Sequence, residues 1–476
     1  MNAKFPFDNT YSTLPRQFFH KQKPAAVSKA ELIACNFQLA EELDIKLPSS
    51  GLELIFSGQM IPDGADPLAQ AYAGHQFGYY NAQLGDGRAL LLGELNTKLG
   101  RYDIQLKGSG TTPYSRSGDG LSWLGPVLRE YIVSEAMHHL GIPTTRSLAA
   151  VETGDKVLRE TVLPGAILTR IAKSHIRVGT FQYFAHNKDT EALETLYKYT
   201  QERHYNETKS ISEFLSCVIN AQSDLITDWL SVGFIHGVMN TDNMALSGET
   251  IDYGPCAFMD TFAPDTVFSS IDHKGRYAYA NQPYIAQWNI ARLAESLLPL
   301  IEGNKEETIA MAEDVLNSFE QVYKKRWLSM MRSKLGLASA EKEDEKLITD
   351  LLDWMHVSQS DYTNTFRNLS NSTLISGELY ASKNFQNWHS RWQDRLEKEE
   401  QDRESSIAQM RSVNPSVIPR NHKVEEALQA GEQSDFKPFH DLINAMNEPY
   451  EEGEHLLPYQ APPQPGEKVL QTFCGT

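Results

Sequence analysis

The sequence has few cysteines, no long apolar run and no surplus of basic charge, and each shortage removes a class of function. Its four cysteines, at 35, 217, 256 and 474, make no CxxC pair and no Cys/His cluster. That spacing disfavours a structural zinc site and a secreted disulfide scaffold, so a reducing compartment is the default. No stretch approaches the roughly 18 apolar residues of a membrane span. The N-terminus, MNAKFPFDNTYSTLPRQFF, carries neither a hydrophobic signal core nor an Arg-rich presequence. A soluble cytoplasmic protein with no membrane partner is expected. Against 62 Asp+Glu stand 44 Lys+Arg, a formal net charge of −18. Such a surface repels nucleic acid and anionic lipid except at a locally basic cleft, so phosphate chemistry belongs in a pocket. No repeat period is present, which disfavours solenoids and propellers.

What is present is a chain with 20 Phe, 20 Tyr and 7 Trp, enough to fill a large core. Residues 1–80 read as an N-terminal extension of turns with one amphipathic helix around Glu31 to Leu43. Residues 81–205 read as a β-rich nucleotide-binding lobe. There LGDGRALLLGEL and RYDIQLKGSG have the look of antiparallel strands, a helix follows over 124–140, and SLAAVETG and DKVLRETVLPGAILTRI form a strand pair. Residues 206–395 read as a helical lobe that opens with a helix from Ile211 to Val232 and carries the metal and catalytic loop. Residues 396–476 form a C-terminal extension, first a solvated helix (RLEKEEQDRESS), then a Pro-rich acidic tail. Strands first and helices later describe an α+β architecture of two lobes with a cleft between them and extensions at both ends, for which the motifs below suggest a protein-kinase-like fold.

The strongest chemical constellation is His236-Gly237-Val238-Met239-Asn240-Thr241-Asp242-Asn243, followed by Ile251-Asp252-Tyr253-Gly254. Protein kinases place HRDxxxxN and DFG in this relation, with Asn and Asp holding a metal against phosphates. Each motif alone is an ordinary turn; the two in register favour a site. Val238 occupies the position of the kinase base and cannot accept a proton, whereas Asp242 supplies a carboxylate four residues later. Lys107 ends an alternating strand, where it either neutralises phosphates or snorkels at the surface. Gly85 and Gly87 flank a turn followed by Arg88, and the Gly/Ser/Thr-rich loop from Gly108 to Gly120 follows the lysine. On a helical wheel Glu135 falls in the apolar stripe and Glu130 opposite, so geometry favours Glu135 as the partner of Lys107. Arg170 and Arg177 suit either phosphate clamps or salt bridges. His273-Lys274-Gly275-Arg276-Tyr277 reads only as a loop-ordering segment, and the stripe Trp288, Ile290, Leu293, Leu297, Leu298 as core.

GDGR, QLKGSGTTPYSRSGDG, LREYIVSEAMHHLGIPTTRSL, SHIRVGTFQ, HGVMNTDNMAL, IDYGP, HKGRY and a cysteine third from the C-terminus occur in that order. Over nearly its whole length the chain thereby resembles the selenoprotein O family, the SelO or YdiU protein nucleotidyltransferases. The resemblance implies a pseudokinase fold that binds ATP inverted and transfers AMP, with release of pyrophosphate, to Ser, Thr or Tyr hydroxyls of protein substrates. It implies Mg²⁺ or Mn²⁺ as cofactor and admits UTP and UMP transfer. By motif it assigns Gly85, Gly87, Arg88, Lys107, Asp119, Gly120, Arg170, Arg177 and Asp252 to the nucleotide, Asn243 and Asp252 to the metal, and Asp242 to the base. It pairs Lys107 with Glu130, against the wheel. It also implies a redox role for Cys474; the usual partner just before HKGRY is replaced by Ser269 and Ser270, which leaves Cys256 as the candidate substitute. The competing readings are a conventional phosphotransferase using Asp242 and a non-catalytic ATP-binding scaffold.

Overall fold

The apolar run from Ala89, the alternation of Tyr102, Ile104 and Leu106, and the strand pair that follows residue 145 fold into the long strands of one antiparallel sheet. The computed structural model describes residues 3–372 and 377–473. In chain order its first elements are β1 (Phe19–Lys21), β2 (Glu31–Cys35), α1 (Phe37–Glu42), α2 (Leu52–Phe56), β3 (Leu68–Gln70), β4 (Gly74–Gln76) and β5 (Tyr79–Asn81). Then come β6 (Ala89–Thr97), β7 (Gly100–Lys107), α3 (Leu124–His139), β8 (Arg146–Leu158) and β9 (Val162–Ala172). Seven of these strands hydrogen-bond in the order β1-β3-β6-β7-β9-β8-β2, while β4 and β5 form a separate hairpin. The sheet therefore takes strands from both sides of residue 80.

Two elements differ from the sequence reading. The helix expected over Glu31 to Leu43 is strand β2 followed by the short α1, because β8 offers an open edge for β2 to pair with. Pairing of that kind overrides local propensity. Asn36 separates the two elements and caps α1 by accepting the Leu39 N–H at 2.9 Å. The strand break expected at Thr153-Gly154 is instead a register shift inside the β8–β9 ladder, and the chain turns at 159–161.

One face of the sheet packs Ile104, Leu106, Ile167 and Ile171 against Leu39, Leu52, Ile55 and Phe56 of α1 and α2. The other face packs Ala150, Ala166 and Leu168 against α3, which is covered in turn by C-terminal helices. After β9 come α4 (Val178–His186) and α5 (Thr190–His204), helical where a β-rich lobe was expected to continue, and α6 (Ile211–Ser231). Strands β10 (Phe234–Ile235) and β11 (Ala257–Phe258) pair and bracket the HGVMNTDN and DYG motifs.

The remaining helices are α7 (Gln282–Leu297), α8 (Lys305–Lys334), α9 (Asp344–Ser358), α10 (Tyr362–Leu369), α11 (Lys383–Leu396) and α12 (Arg403–Val413), then α13 (Asn421–Glu432), α14 (Lys437–Met446) and α15 (Leu457–Gln460). The charged run RLEKEEQDRESS is not one helix: α11 stops at Leu396, and Asp402 caps α12 by accepting the Ser405 N–H at 2.8 Å. The acidic tail returns to the body, where Thr472 Oγ1 donates to the Pro255 carbonyl at 2.7 Å. Among the described residues no helix is long and apolar enough to cross a membrane.

Candidate active site

Strand register sets the first half of the site. Gln105 of β7 lies opposite Arg170 of β9, and Lys107 opposite Leu168. Residues two apart share a face, so Lys107 and Arg170 emerge on the same side of the sheet. Lys107 Nζ lies 2.7 Å from Glu130 Oε2 and 2.8 Å from Asp252 Oδ1. Arg170 Nη2 reaches Asp252 Oδ1 at 2.6 Å and Arg170 Nε reaches Glu130 Oε1 at 2.8 Å. Arg177 Nη2 stands 3.5 Å from Asp252 Oδ2, and its Nη1 3.6 Å from Asp86. Three cations thus converge on Asp252. Burial opposes ionisation of Asp252, yet Arg170, Lys107 and Arg177 hold its carboxyl well below the ordinary value. Glu130 is likewise opposed by burial and held low by Arg170 and Lys107.

Asp252 has φ +62°, a left-handed backbone that Asp and Asn tolerate better than other side chains. Strain kept at such a position points to a functional constraint.

Glu135 is not the partner of Lys107, contrary to the helical wheel. Glu130 and Glu135 are equally buried, at 3% exposure each, because α3 lies between the sheet and helices α13 and α14 and has no solvent face here. Glu135 instead takes Arg146 Nε at 2.9 Å, Arg146 Nη2 at 2.7 Å and Asn36 Nδ2 at 2.7 Å.

The second half of the site lies between β10 and β11. His236 Nε2 bonds the Ile251 carbonyl at 2.8 Å, which ties the HGVMNTDN loop to the DYG segment. Asn243 Nδ2 donates to the Val238 carbonyl at 2.9 Å, which orients the amide. Asp242 sits in a short 3₁₀ turn, Thr241–Asn243. Burial pushes its carboxyl up to about 6, against the opposing pull of backbone and Gln76 hydrogen bonds and of Arg177. Its Oδ2 accepts from Gln76 Nε2 at 3.2 Å, and its buried Oδ1 has no hydrogen-bond partner among the described residues. The β4–β5 hairpin covers this turn: the His75 N–H donates to Thr241 Oγ1 at 2.6 Å and the Phe77 N–H to Asn240 Oδ1 at 3.1 Å. A Cβ on Gly74 would stand 2.6 Å from Asp242 Oδ1, so any larger residue there would displace the Asp242 carboxylate.

The glycine-rich segments pack on one another. Thr112 Oγ1 donates to the Asp86 carbonyl at 2.7 Å, Ser115 Oγ donates to the Gly87 carbonyl, and a Cβ on Gly85, at φ +70°, would collide with the Tyr114 ring. Arg88 stays beside Lys107 through its carbonyl, which accepts the Gly108 N–H at 2.7 Å. Gly120, also at φ +70°, lies against the Gly110 backbone. Asp119 pairs with Arg159, at 2.7 Å and 3.2 Å, rather than with the cation cluster. Among the described residues no three His, Cys, Asp or Glu side chains gather as a metal cluster. An ion held by Asp252 and the oriented Asn243 would complete its shell with phosphate oxygens and water, which is how Mg²⁺ is usually bound. The orphaned Oδ1 of Asp242 beside them fits such a group.

A family model described as protein adenylyltransferase SelO matches residues 2–447. The chain belongs to the SelO family. It is 56% identical to the protein nucleotidyltransferase YdiU of Nitrosococcus oceani, over 99% of this chain and 97% of that protein. It is 52% identical to the protein of the same name from Bacillus cereus, over 100% and 99%. To the one from Pelagibacter ubique it is 51% identical, over the full length of both. This SelO-family chain is accordingly a protein adenylyltransferase, an enzyme that moves a nucleotidyl group to protein.

Several contacts of the site carry no mark in the sequence. Tyr72 lies with its ring centroid 4.4 Å from the Arg177 guanidinium. Asp86 is buried and, besides Arg177, accepts the Gln70 N–H at 3.1 Å; burial raises its carboxyl and Arg177 opposes the rise. Behind the cluster Arg203 bridges Glu94 at 2.6 Å and Asp103 at 2.5 Å, and Asp103 accepts the His175 N–H at 2.9 Å. That network anchors the segment between β9 and α4 that carries Arg177. Nothing in the spacing of Tyr72 or Arg203 singles them out, since their partners lie far away in sequence; Asp86 falls inside the GDGR motif, but the motif does not reveal its partner Arg177. Of the two candidate redox cysteines, Cys256 is buried and Cys474 lies outside the described residues.

Arg159, also unforeseen, gives a modest prediction. Arg159→Ala should raise KM for the nucleotide by about 2- to 5-fold with kcat nearly unchanged, because a half-exposed pair contributes only about 0.2–1 kcal/mol. Steady-state kinetics at fixed acceptor concentration would check it.

Proposed function

We propose that the chain transfers AMP from ATP, and UMP when UTP is supplied, to Ser, Thr or Tyr hydroxyls of protein substrates. The nucleotide lies inverted in a cleft of a two-lobed, kinase-like fold, with its β- and γ-phosphates deepest. The observation that carries this reading is the convergence of Lys107, Arg170 and Arg177 on Asp252, with valine at the position of the kinase base. Three convergent cations, the buried Arg170 and Arg177 and the partly buried Lys107, suit a pyrophosphate that leaves with several negative charges, more than a single phosphoryl group needs.

In this mechanism the acceptor oxygen attacks the α-phosphorus in line. Its proton passes to the Asp242 carboxylate, the bond from the α-phosphorus to the bridging oxygen breaks, and Lys107, Arg170 and Arg177 stabilise the departing pyrophosphate. Glu130 keeps Lys107 and Arg170 in place. The Gly85-to-Gly87 turn, Arg88 and the loop ending in Asp119 and Gly120 cover the phosphates. Asn243 and Asp252 would hold Mg²⁺ or Mn²⁺, which would supply positive charge against the phosphate oxygens. A scaffold has no use for Asp242, a carboxylate kept buried at an energetic cost with one oxygen unpaired among the described residues.

The test is to incubate the protein, a generic acceptor and Mg²⁺ with ATP labelled at either the α- or the γ-phosphate. Label from the α position alone, with pyrophosphate released, is expected. Label from γ would make the chain a phosphotransferase, and label from neither, with ATP still bound, would make it a scaffold.

A further inference from the structure

Trp288, read from the sequence as core, is only half-buried, and its surroundings are unusual for a protein of net charge −18. The guanidinium of Arg276 stands 4.8 Å from its ring centroid, and so does that of Arg292. The HKGRY segment, which the nucleotide chemistry leaves unused, therefore builds one side of a cation–aromatic–cation stack. Neither Arg276 Nε nor Arg292 Nε has a hydrogen-bond partner among the described residues, although both atoms are buried. Arg292 meets one carboxylate, the exposed Glu295 one turn away at 2.7 Å. Arg276 makes no ion pair among the described residues; the nearby Asp272 spends its oxygens on the Arg276 and Tyr277 N–H groups at 2.9 Å and 2.8 Å. His273 and Lys274 are exposed in the same segment.

This stack adjoins the proposed base. The His75 ring lies 5.2 Å from Trp288, and its neighbour Gln76 donates to Asp242. On the other side Tyr277 donates to Asn240 Oδ1 at 2.7 Å, two residues before Asp242. Burial lowers the His75 pKa and both arginines lower it further, so their charges are felt at the hairpin. The exposed rings of Tyr79 and Tyr284, on the hairpin and on α7, add apolar surface.

Resting on the transfer reaction proposed above, we infer that the Arg276–Trp288–Arg292 face is where an acidic segment of the acceptor protein docks, beside the hydroxyl to be modified. A guanidinium stacked on an indole loses little further freedom on binding, and its planar fork of N–H groups matches a carboxylate in two-point fashion. A basic segment would meet like charge here. A long polyanion such as nucleic acid would extend beyond the patch into the field of a −18 surface, whereas a short acidic segment would not.

The experiment uses the full chain and three fluorescent tyrosine peptides that differ only in their flanks: Asp/Glu, Lys/Arg or neutral. Anisotropy reads binding in the presence of ATP, and α-labelled ATP reads transfer. The acidic peptide should bind at least about tenfold more tightly than the neutral one, and the double variant R276E/R292E should prefer the basic peptide while its ATP affinity stays unchanged. Should that variant not fold, R276Q and W288F separately should each weaken the acidic peptide by about 3- to 10-fold. Equal binding of the three peptides, a preference that survives both sets of substitutions, or stronger capture of an oligonucleotide of equal charge would overturn the docking face. If the acidic peptide binds as expected but receives no label, the docking face stands and the transfer reading falls; transfer without flank preference has the opposite meaning.

Discussion

Asp252→Asn should lower metal-dependent nucleotidyl transfer on the order of 10³-fold while leaving the fold intact. Asparagine is the discriminating replacement because it also tolerates the left-handed backbone at φ +62°, so the variant removes a charge and adds little strain. Lys107 and Arg170 then lose one of the two carboxylates they share, and Arg177 loses its nearer one. The pocket becomes more positive, so metal-free ATP should bind as tightly as before or several-fold more tightly, whereas Mg²⁺ should no longer promote transfer. Calorimetric titration of ATP with and without Mg²⁺, alongside the α-label assay, separates the two effects. Retention of Mg²⁺-stimulated transfer would remove Asp252 from the metal site. Asp252→Ala would be a poorer test, since alanine adds backbone strain to the loss of charge.

The second large effect is expected at Asp242, where activity and stability should move in opposite directions. Asp242→Asn should slow transfer by about 10²- to 10⁴-fold, the usual range for a lost general base, with ATP affinity little changed. The same variant should be more stable than the parent at neutral pH. In the folded protein this carboxyl titrates near 6 against an ordinary 3.8, driven first by burial. A carboxyl raised in this way contributes most favourably below the unfolded value, and that contribution is lost as pH rises through about 6. Above about pH 7 the parent therefore carries a penalty on the order of 2–3 kcal/mol that Asn lacks, at about 1.36 kcal/mol for each pH unit separating the folded and unfolded values. Denaturant unfolding in chelator should show the variant ahead at about pH 7.5 and the gap narrowing towards about pH 4.5. A variant less stable than the parent at the higher pH would mean that Asp242 is held by contacts it needs as an anion, and its role as a poised base would fail.

Several features are legible in the linear chain. The apolar run of β6, the alternation of β7, the helices over 124–139 and 211–231, and the pairing of HGVMNTDN with DYG rest on short-range periodicity and spacing, which residue order alone displays. The partner of Lys107 is not legible there. A helical wheel assumes a helix with one wet face, and α3 has none here, because α13 and α14 from the far end of the chain cover the side turned away from the sheet. Likewise the run from Glu31 to Leu43 has helical spacing, yet its first five residues pair with β8 more than a hundred residues later. Trp288 has the periodicity of a core position, but Arg276 from a preceding loop and Arg292 one turn along its own helix each place a guanidinium over its ring.

The sequence by itself determined the chemistry available to this protein: its acidic balance, its valine in place of a base, its ordered motifs and hence its family. Those properties reside in residue identity and short spacing. The tertiary structure alone decided which charges meet. Lys107, Glu130, Arg170 and Asp252 come from β7, α3, β9 and the loop before β11, and Asp242 acquires its raised pKa from burial in the folded chain. Burial and charge proximity are properties of three-dimensional distance, and they set pKa values and ion pairs with no regard for separation along the chain.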